Sequence, residues 1–246
     1  MNHFHLSGAE RTALAGGVLL LLLQCVVQNA PGVGAALEYR RALVAAEPWR
    51  LVTGHLVHLG WLHLLVNLAA WLILARLYAP DLGALQQLLV LLASMLLISL
   101  GLAKAFPQIA WYRGLSGALH ALYFAGAAAW LGSAAAIRNR TADKCGAGSA
   151  KRADSAEDRG NQGNEVQQFW LPCALFLGGW IKVATEQRGA DLLRHADWLQ
   201  ADVVTQAHLL GAAFGSLAGA ALAALRLRLR RRGKGGMHGA RGNQPW

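Results

Sequence analysis

Residues 114–137 read GLSGALHALYFAGAAAWLGSAAAI, a stretch of 24 residues without a single Asp, Glu, Lys or Arg. A helix rises about 1.5 Å per residue, so about 20 apolar residues cross a hydrocarbon core that is about 30 Å thick. Five further charge-free stretches occur along the 246-residue chain, at 12–37, 51–75, 82–103, 166–181 and 203–225. All but the stretch 166–181 reach the length that a membrane crossing needs, and that one nearly does.

The composition agrees with a membrane protein. Hydrophobic residues make up 55% of the chain and charged residues only 15%, whereas about a quarter of an ordinary soluble domain is charged. These values exclude a soluble enzyme, a coiled coil and a disordered chain. We predict an all-α membrane protein, a six-transmembrane-helix bundle within residues 12–225, with spans near 12–30, 58–77, 83–103, 116–136, 168–185 and 203–225.

The charged residues predict the topology. With six spans both termini lie on one side, and 15 of the 23 Lys and Arg residues then fall on that side. This bias places residues 1–11 and the basic tail 226–246 in the cytoplasm, together with the polar segment 139–164, which we interpret as a flexible linker between the fourth and fifth spans. The net charge of +10 is thus explained by topology and contact with the lipid bilayer, and we do not expect a nucleic-acid partner.

Ionisable and polar side chains inside spans are costly, and they are therefore hypotheses about function. In the second span, His63 and Asn67 are four residues apart and share one helix face. They either clasp a neighbouring helix or donate hydrogen bonds to a developing oxyanion. At the start of the fourth span, Ser116 stands between Gly114 and Gly117, either as a helix N-cap or as a nucleophile beside free backbone N–H groups.

The sixth span carries His208 on the same face as Gly211 and Gly215. Small residues on one face allow a neighbouring helix to pack closely, and a histidine there is either a satisfied core residue or a base for a nearby hydroxyl. The predicted topology places Ser116, His208 and the His63/Asn67 pair at the same depth in the outer half of the bilayer. This coincidence favours a catalytic site.

Four motifs in this order resemble those of rhomboid intramembrane serine proteases. They are the Trp49–Arg50 pair, HxxxN at His63 and Asn67, GxSG at 114–117, and HxxGxxxG at His208, Gly211 and Gly215. The resemblance implies that Ser116 is the nucleophile and His208 the general base, in a dyad with no acidic third member. It also implies an oxyanion site formed by His63, Asn67 and the Ser116 backbone N–H.

One departure from the family pattern is His120, which occupies the position where most rhomboids have a tyrosine that stacks on the catalytic histidine. GLSGALH and the run GHLVHLGWLHLLVN resemble the rhombosortase branch of the family. That branch implies a bacterial inner membrane enzyme with its active site towards the periplasm. It also implies substrates that are transmembrane proteins with C-terminal Gly-Gly sorting tails.

Other functions remain as alternatives. A catalytically silent rhomboid-like protein would bind transmembrane segments without cutting them, and a small transporter would need a charged or broken site at the midplane. No acidic residue lies within the predicted spans. His55, His58 and His63 suggest a metal site, but zinc sites usually offer three or four convergent ligands, and we expect neither metal nor cofactor. We expect His58 to bond to loop backbone beneath the site.

Overall fold

The computed structural model describes residues 5–147, 156–188 and 203–239. Within these ranges the chain forms eight helices and one small antiparallel sheet. The helices are α1 (Gly8–Asn29), α2 (Pro31–Leu37), α3 (Arg50–Thr53), α4 (Trp61–Tyr78), α5 (Ala84–Ala105), α6 (Ser116–Ala147), α7 (Ala156–Gln187) and α8 (Thr205–Gly239), and the strands are β1 (Tyr39–Arg40) and β2 (Trp111–Tyr112).

The predicted fold class, an all-α membrane bundle, is confirmed. Five helices in the described part of the chain are long and apolar enough to cross a membrane, namely α1, α4, α5, the first part of α6 and most of α8. The predicted fifth span, 168–185, lies inside α7, which is not among these five. The chain is a multi-pass membrane protein, and α7 as a further crossing remains a prediction.

The helices are longer than the charge-free stretches indicate. Helix α6 continues to Ala147, α7 begins at Ala156, and α8 continues to Gly239. Both ends of the segment 139–164 are therefore helical. We interpreted this segment as a flexible linker, and its residues 148–155 lie outside the described part of the chain. The interpretation was wrong for the helical ends because charge marks where a helix leaves the apolar layer and does not itself end a helix.

Helix α1 begins four residues before the predicted span. Ser7 accepts a hydrogen bond from the Glu10 backbone N–H, and the Glu10 carboxylate accepts one from the Ser7 backbone N–H. This reciprocal pair is a capping box, which stabilises a helix start. Glu10 also pairs with Arg76 on α4, with 3.3 Å between Oε1 and Nη1, so the beginning of α1 and the end of α4 lie at the same end of the bundle.

Helix α6 is the central element, in contact with α4, α5, α7 and α8. Its buried face is rich in alanine, including Ala118, Ala121 and Ala125, each almost fully buried. Small side chains leave room for neighbouring helices to approach, which is how helices pack in a bilayer where burial of apolar groups adds little driving force.

The segment between α1 and α4 forms a folded cap at one end of the bundle. It contains α2, β1 and α3, and β1 pairs antiparallel with β2, Tyr39 opposite Tyr112. Both tyrosines are buried, in a small core that includes Ile98 and Ala207. Because β2 leads directly into α6, this cap fixes the chain just before Ser116.

Candidate active site

Ser116 and His208 meet at the cap end of the bundle. Ser116 is the first residue of α6 and His208 lies in the first turn of α8. The distance from Ser116 Oγ to His208 Nε2 is 3.0 Å, an ordinary hydrogen bond, and His208 is only 5% exposed. This is the geometry that a serine nucleophile and a histidine base require, and the two catalytic roles remain predictions.

The packing of α6 against α8 brings these two side chains together. A Cβ atom added at Gly211 would lie 2.1 Å from the Gly117 carbonyl oxygen, and one at Gly215 would lie 2.2 Å from the Ala121 carbonyl oxygen. The glycines of α8 therefore lie directly against the backbone of α6. Any larger side chain would push the helices apart, so Gly211 and Gly215 set the distance at which His208 faces Ser116.

The loop before Ser116 is held in a fixed conformation. Gly114 has φ +117°, a left-handed conformation that favours glycine, and a Cβ there would lie 2.6 Å from the His63 ring. Its N–H donates to the Gly54 carbonyl at 3.0 Å, and its carbonyl accepts from the Tyr112 hydroxyl at 2.5 Å. The predicted supporting position Gly114 thus both permits the turn and makes room for His63.

The two candidate oxyanion donors, His63 and Asn67, lie on α4 and line the same cavity as Ser116 and His208. The Asn67 side-chain amide donates one hydrogen bond to the His63 carbonyl at 2.8 Å, which leaves its second N–H for another acceptor. The cavity volume is about 200 Å³. The geometry gathers the donors and the nucleophile around one small space, and their roles in catalysis remain predictions.

His120 lies against the face of His208. The two rings are stacked, with centroids 4.0 Å apart and planes 16° from parallel. His120 Nδ1 lies 2.8 Å from the Ser116 carbonyl oxygen, and its Nε2 lies 2.7 Å from the ammonium of Lys182. Since an ammonium can only donate, Nε2 accepts and Nδ1 carries the proton that is donated to Ser116.

Two residues at the site were not predicted from the sequence, Glu186 and Lys182, both near the end of α7. Glu186 Oε2 lies 3.0 Å from His208 Nδ1, and Glu186 Oε1 lies 2.6 Å from Lys182 Nζ. His208 therefore has an acidic neighbour, whereas the resemblance implies a dyad with no acidic third member. A sequence signal existed, because a Lys and a Glu four residues apart share one face of a helix.

The Trp49–Arg50 pair lies away from the cavity and holds the cap. Arg50 is buried, and its Nη1 donates to the carbonyls of Ala35 and Glu38 at 2.8 and 2.7 Å. The Trp49 indole N–H donates to the Ala36 carbonyl at 3.3 Å. These bonds connect α2 and β1 to α3, so the pair acts on the site only through the shape of the cap.

Two histidines lie beneath the site without entering it. His55 Nε2 is 3.0 Å from Ser99 Oγ, and burial lowers the pKa of His55 to about 4, so that it is neutral near pH 7. The His58 ring packs edge-on against His63, with centroids 5.1 Å apart. Within the described part of the chain, neither His58 nitrogen makes a hydrogen bond of ordinary geometry, and the expected bond to loop backbone is present only as a weaker interaction with the Leu56 backbone.

One set of side chains has the composition of a metal site. Ligand atoms of His120, Glu186 and His208 all lie within 4.8 Å of one another. The Lys182 ammonium already contacts two of the three, Glu186 and His120. A metal cation would have to replace this ammonium, so the arrangement fits a hydrogen-bonded cluster better than a metal centre. His55, His58 and His63 do not form such a set among the residues that the structure describes.

Comparison with known proteins supports the resemblance seen in the motifs. The family model described as the Rhomboid domain matches residues 45–144, which include the Trp49–Arg50 pair, His63, Asn67 and Ser116. His208 lies outside the matched segment. The comparison with curated proteins found no match. The family match supports the rhomboid family, whose members are generally intramembrane serine proteases, and it does not distinguish the rhombosortase branch.

Proposed function

We propose that this protein is an intramembrane serine endopeptidase that cleaves membrane-anchored proteins near the outer face of the bacterial inner membrane. The observation that carries the proposal is the 3.0 Å contact between Ser116 Oγ and His208 Nε2, made between two different helices at the edge of a cavity. The candidate donors His63 and Asn67 line the same cavity, as an oxyanion site requires.

The chemistry is acyl transfer. His208 Nε2 accepts the Ser116 hydroxyl proton while Oγ forms a bond to the peptide carbonyl carbon, and the carbonyl oxygen becomes an oxyanion. His63, Asn67 and the Ser116 backbone N–H stabilise this oxyanion, since the first N–H groups of a helix have no acceptor within it. His208 then gives its proton to the leaving amine, and water hydrolyses the acyl-enzyme.

We infer that water reaches the site from the cap side. An open cavity of about 1070 Å³ lies beside the cap and is lined by charged residues that include Glu38, Arg40 and Arg41. It shares Leu59, Trp111 and Arg113 with the active-site cavity. Hydrolysis of an acyl-enzyme inside a membrane protein needs such a path.

The substrate segment has a route from the lipid side, between α4 and α7. A groove of about 440 Å³ is lined by Ile73 and Leu74 of α4 and by Gly178 and Gly179 of α7. It shares Ala70, Leu119, His120 and Lys182 with the active-site cavity. We therefore interpret α7, which contains the predicted fifth span, as a lateral gate for the substrate segment.

We further propose C-terminal Gly-Gly sorting tails as the substrate class. The active-site cavity of about 200 Å³ is smaller than the roughly 300–1,000 Å³ of typical ligand pockets, which favours small residues at the cut. A Gly-Gly segment also leaves the helical conformation easily and exposes the carbonyl that Ser116 must reach. The rhombosortase-like motifs GLSGALH and GHLVHLGWLHLLVN support the same class.

The test uses the full chain in proteoliposomes. A fluorophosphonate probe should label the wild type and not Ser116→Ala, and the wild type alone should cleave a reporter with a Gly-Gly segment before its transmembrane helix. The same reporter with Val-Val in place of Gly-Gly should be cut much more slowly. A wild type that is not labelled and binds the reporter without cutting it would instead support the catalytically silent protein.

A further inference from the structure

The Glu186 carboxylate lies against the edge of His208 that points away from Ser116. Oε2 is 3.0 Å from His208 Nδ1, and the two side chains are 8% and 7% exposed. A carboxylate accepts hydrogen bonds, so Nδ1 must carry a proton and donate it. When Nδ1 carries the proton of a neutral imidazole, Nε2 has the free electron pair that a general base needs, and Nε2 is the atom that faces Ser116.

We propose that Glu186 is a positioning residue that completes a Ser116–His208–Glu186 triad. This proposal rests on the proposed function of the site. As Ser116 Oγ bonds to the carbonyl carbon, its proton moves to His208 Nε2, and the Nδ1 proton stays where it is. Glu186 remains ionised throughout, holds the ring in the reactive tautomer and stabilises the imidazolium, which is the role of the aspartate in serine protease triads.

Lys182 fixes the carboxylate in this position. Its ammonium lies 2.6 Å from Glu186 Oε1, one helical turn away on α7, while Oε2 faces His208. Each oxygen of Glu186 therefore has its own charged or donating partner, which prevents rotation of the group and favours its ionised form.

Lys182 also closes the network on the other side of His208. It donates to His120 Nε2 at 2.7 Å, and His120 Nδ1 donates to the Ser116 carbonyl at 2.8 Å. His208 is thus held at one edge by Glu186 and on one face by the stacked His120 ring. The side chains of His208, Glu186, Lys182 and His120 thus form a closed ring of hydrogen bonds that begins and ends at Ser116. The orientation of His208 therefore depends on α7 as well as on α6 and α8.

The first test is Glu186→Gln, which keeps the shape of the side chain and removes its charge. The amide introduced by this substitution would donate to His208 Nδ1 as readily as accept from it, so we expect kcat to fall by about 10²–10⁴-fold, with KM changed much less. Gln187→Ala is the matched control, because Gln187 connects α7 to the Thr205 carbonyl at 2.8 Å without contacting His208. This control should stay within about twofold of the wild type.

The pH profile distinguishes positioning from a merely structural role. In the part of the chain that the structure describes, the titratable or charged groups that face His208 or line its cavity are Glu186 and Lys182 on α7, His120 on α6, His63 on α4, and Tyr112 and Arg113 before α6. Among these described groups, Glu186 is the one that carries negative charge and favours the imidazolium. In Glu186→Gln the acidic limb of the kcat/KM profile should therefore move to lower pH, by about one unit.

The outcomes separate the two proposals. A wild type that is inactive and not labelled would refute the proposed function. If the wild type is active and Glu186→Gln has the same kcat and the same pH profile, only the triad is refuted. If Glu186→Gln does not fold, NMR of the ¹⁵N-histidine-labelled wild type provides the test. We expect the proton of neutral His208 on Nδ1, and a proton on Nε2 would contradict the triad. Activity lost with a chelator and restored by zinc would also overturn it, in favour of a metal centre.

Discussion

Gly211→Ala tests whether helix packing sets the distance between Ser116 and His208, the proposed catalytic pair. The added Cβ would lie 2.1 Å from the Gly117 carbonyl oxygen, whereas real Cβ contacts are essentially never shorter than 3.0 Å. The obstructing atom belongs to the backbone of α6, so the helices must separate by about 1 Å. The Ser116–His208 contact is 3.0 Å in the native protein, and an added displacement of about 1 Å takes it beyond hydrogen-bonding distance.

The expected result is a loss of activity without a comparable loss of stability. A misplacement of about 1 Å at a catalytic group costs about 10²-fold in rate, and we expect this loss in both cleavage of the reporter and fluorophosphonate labelling. The packing strain costs about 1–3 kcal/mol, but alanine favours a helix over glycine by about 1 kcal/mol, so the two effects partly cancel in the free energy of unfolding.

The measurement needs a control with the same chemical change in open space. Gly32→Ala on α2 serves, because a Cβ there meets no atom within 4 Å and Gly32 lines neither the active-site cavity nor the proposed entry groove. Labelling rates, reporter cleavage and thermal unfolding are compared for the wild type and both variants in the same detergent. If Gly211→Ala folds and cleaves at the wild-type rate, the argument that glycines on α8 set the distance between base and nucleophile is wrong.

Two further predictions concern the oxyanion donors and the entry route. Asn67→Ala should lower kcat by about 10²–10³-fold with little change in KM, and an unchanged kcat would show that the side chain is only a clasp between helices. Gly178→Leu should fill the groove between α4 and α7, slowing cleavage of the transmembrane reporter while labelling by the small probe stays normal. Gly178→Ala is its control, and equal slowing of labelling and cleavage would contradict a role in substrate entry.

The sequence predicts the membrane helices well because one physical requirement dominates there. A backbone in hydrocarbon must satisfy its own hydrogen bonds, so each long uncharged stretch has to be a helix. Five of the six stretches correspond to helices that are able to cross a membrane. The ends of the helices were predicted less well, because side-chain capping can start a helix outside the apolar layer. Ser7 and Glu10 cap the start of α1 within residues 1–11, which the charge distribution assigns to the cytoplasm.

The proximity of Ser116 and His208 could also be predicted from the sequence, through spacing and depth. Gly211 and Gly215 predict a close neighbour for α8, and the depth of Ser116 in the fourth span makes α6 a candidate. The folded cap between α1 and α4 could not be predicted from the sequence. The two-residue strands that pair Tyr39 with Tyr112 are too short for any alternation of apolar and polar residues to be recognised.

Glu186 and Lys182 were missed for a reason that applies to membrane enzymes more generally. Each charged residue ends an uncharged stretch, so the fifth stretch stopped at residue 181 and the predicted span at residue 185. Lys182 and Glu186 were then treated as flanking charges and not as residues of the site. In the folded protein α7 continues through this boundary to Gln187. The boundary of a span is where a carboxylate can remain ionised near water and still reach a buried imidazole, as Glu186 does with His208. Charges four residues apart at the end of a short apolar stretch are therefore candidates for the site itself, and their helix face should be compared with the depth of the nucleophile before they are assigned to a loop.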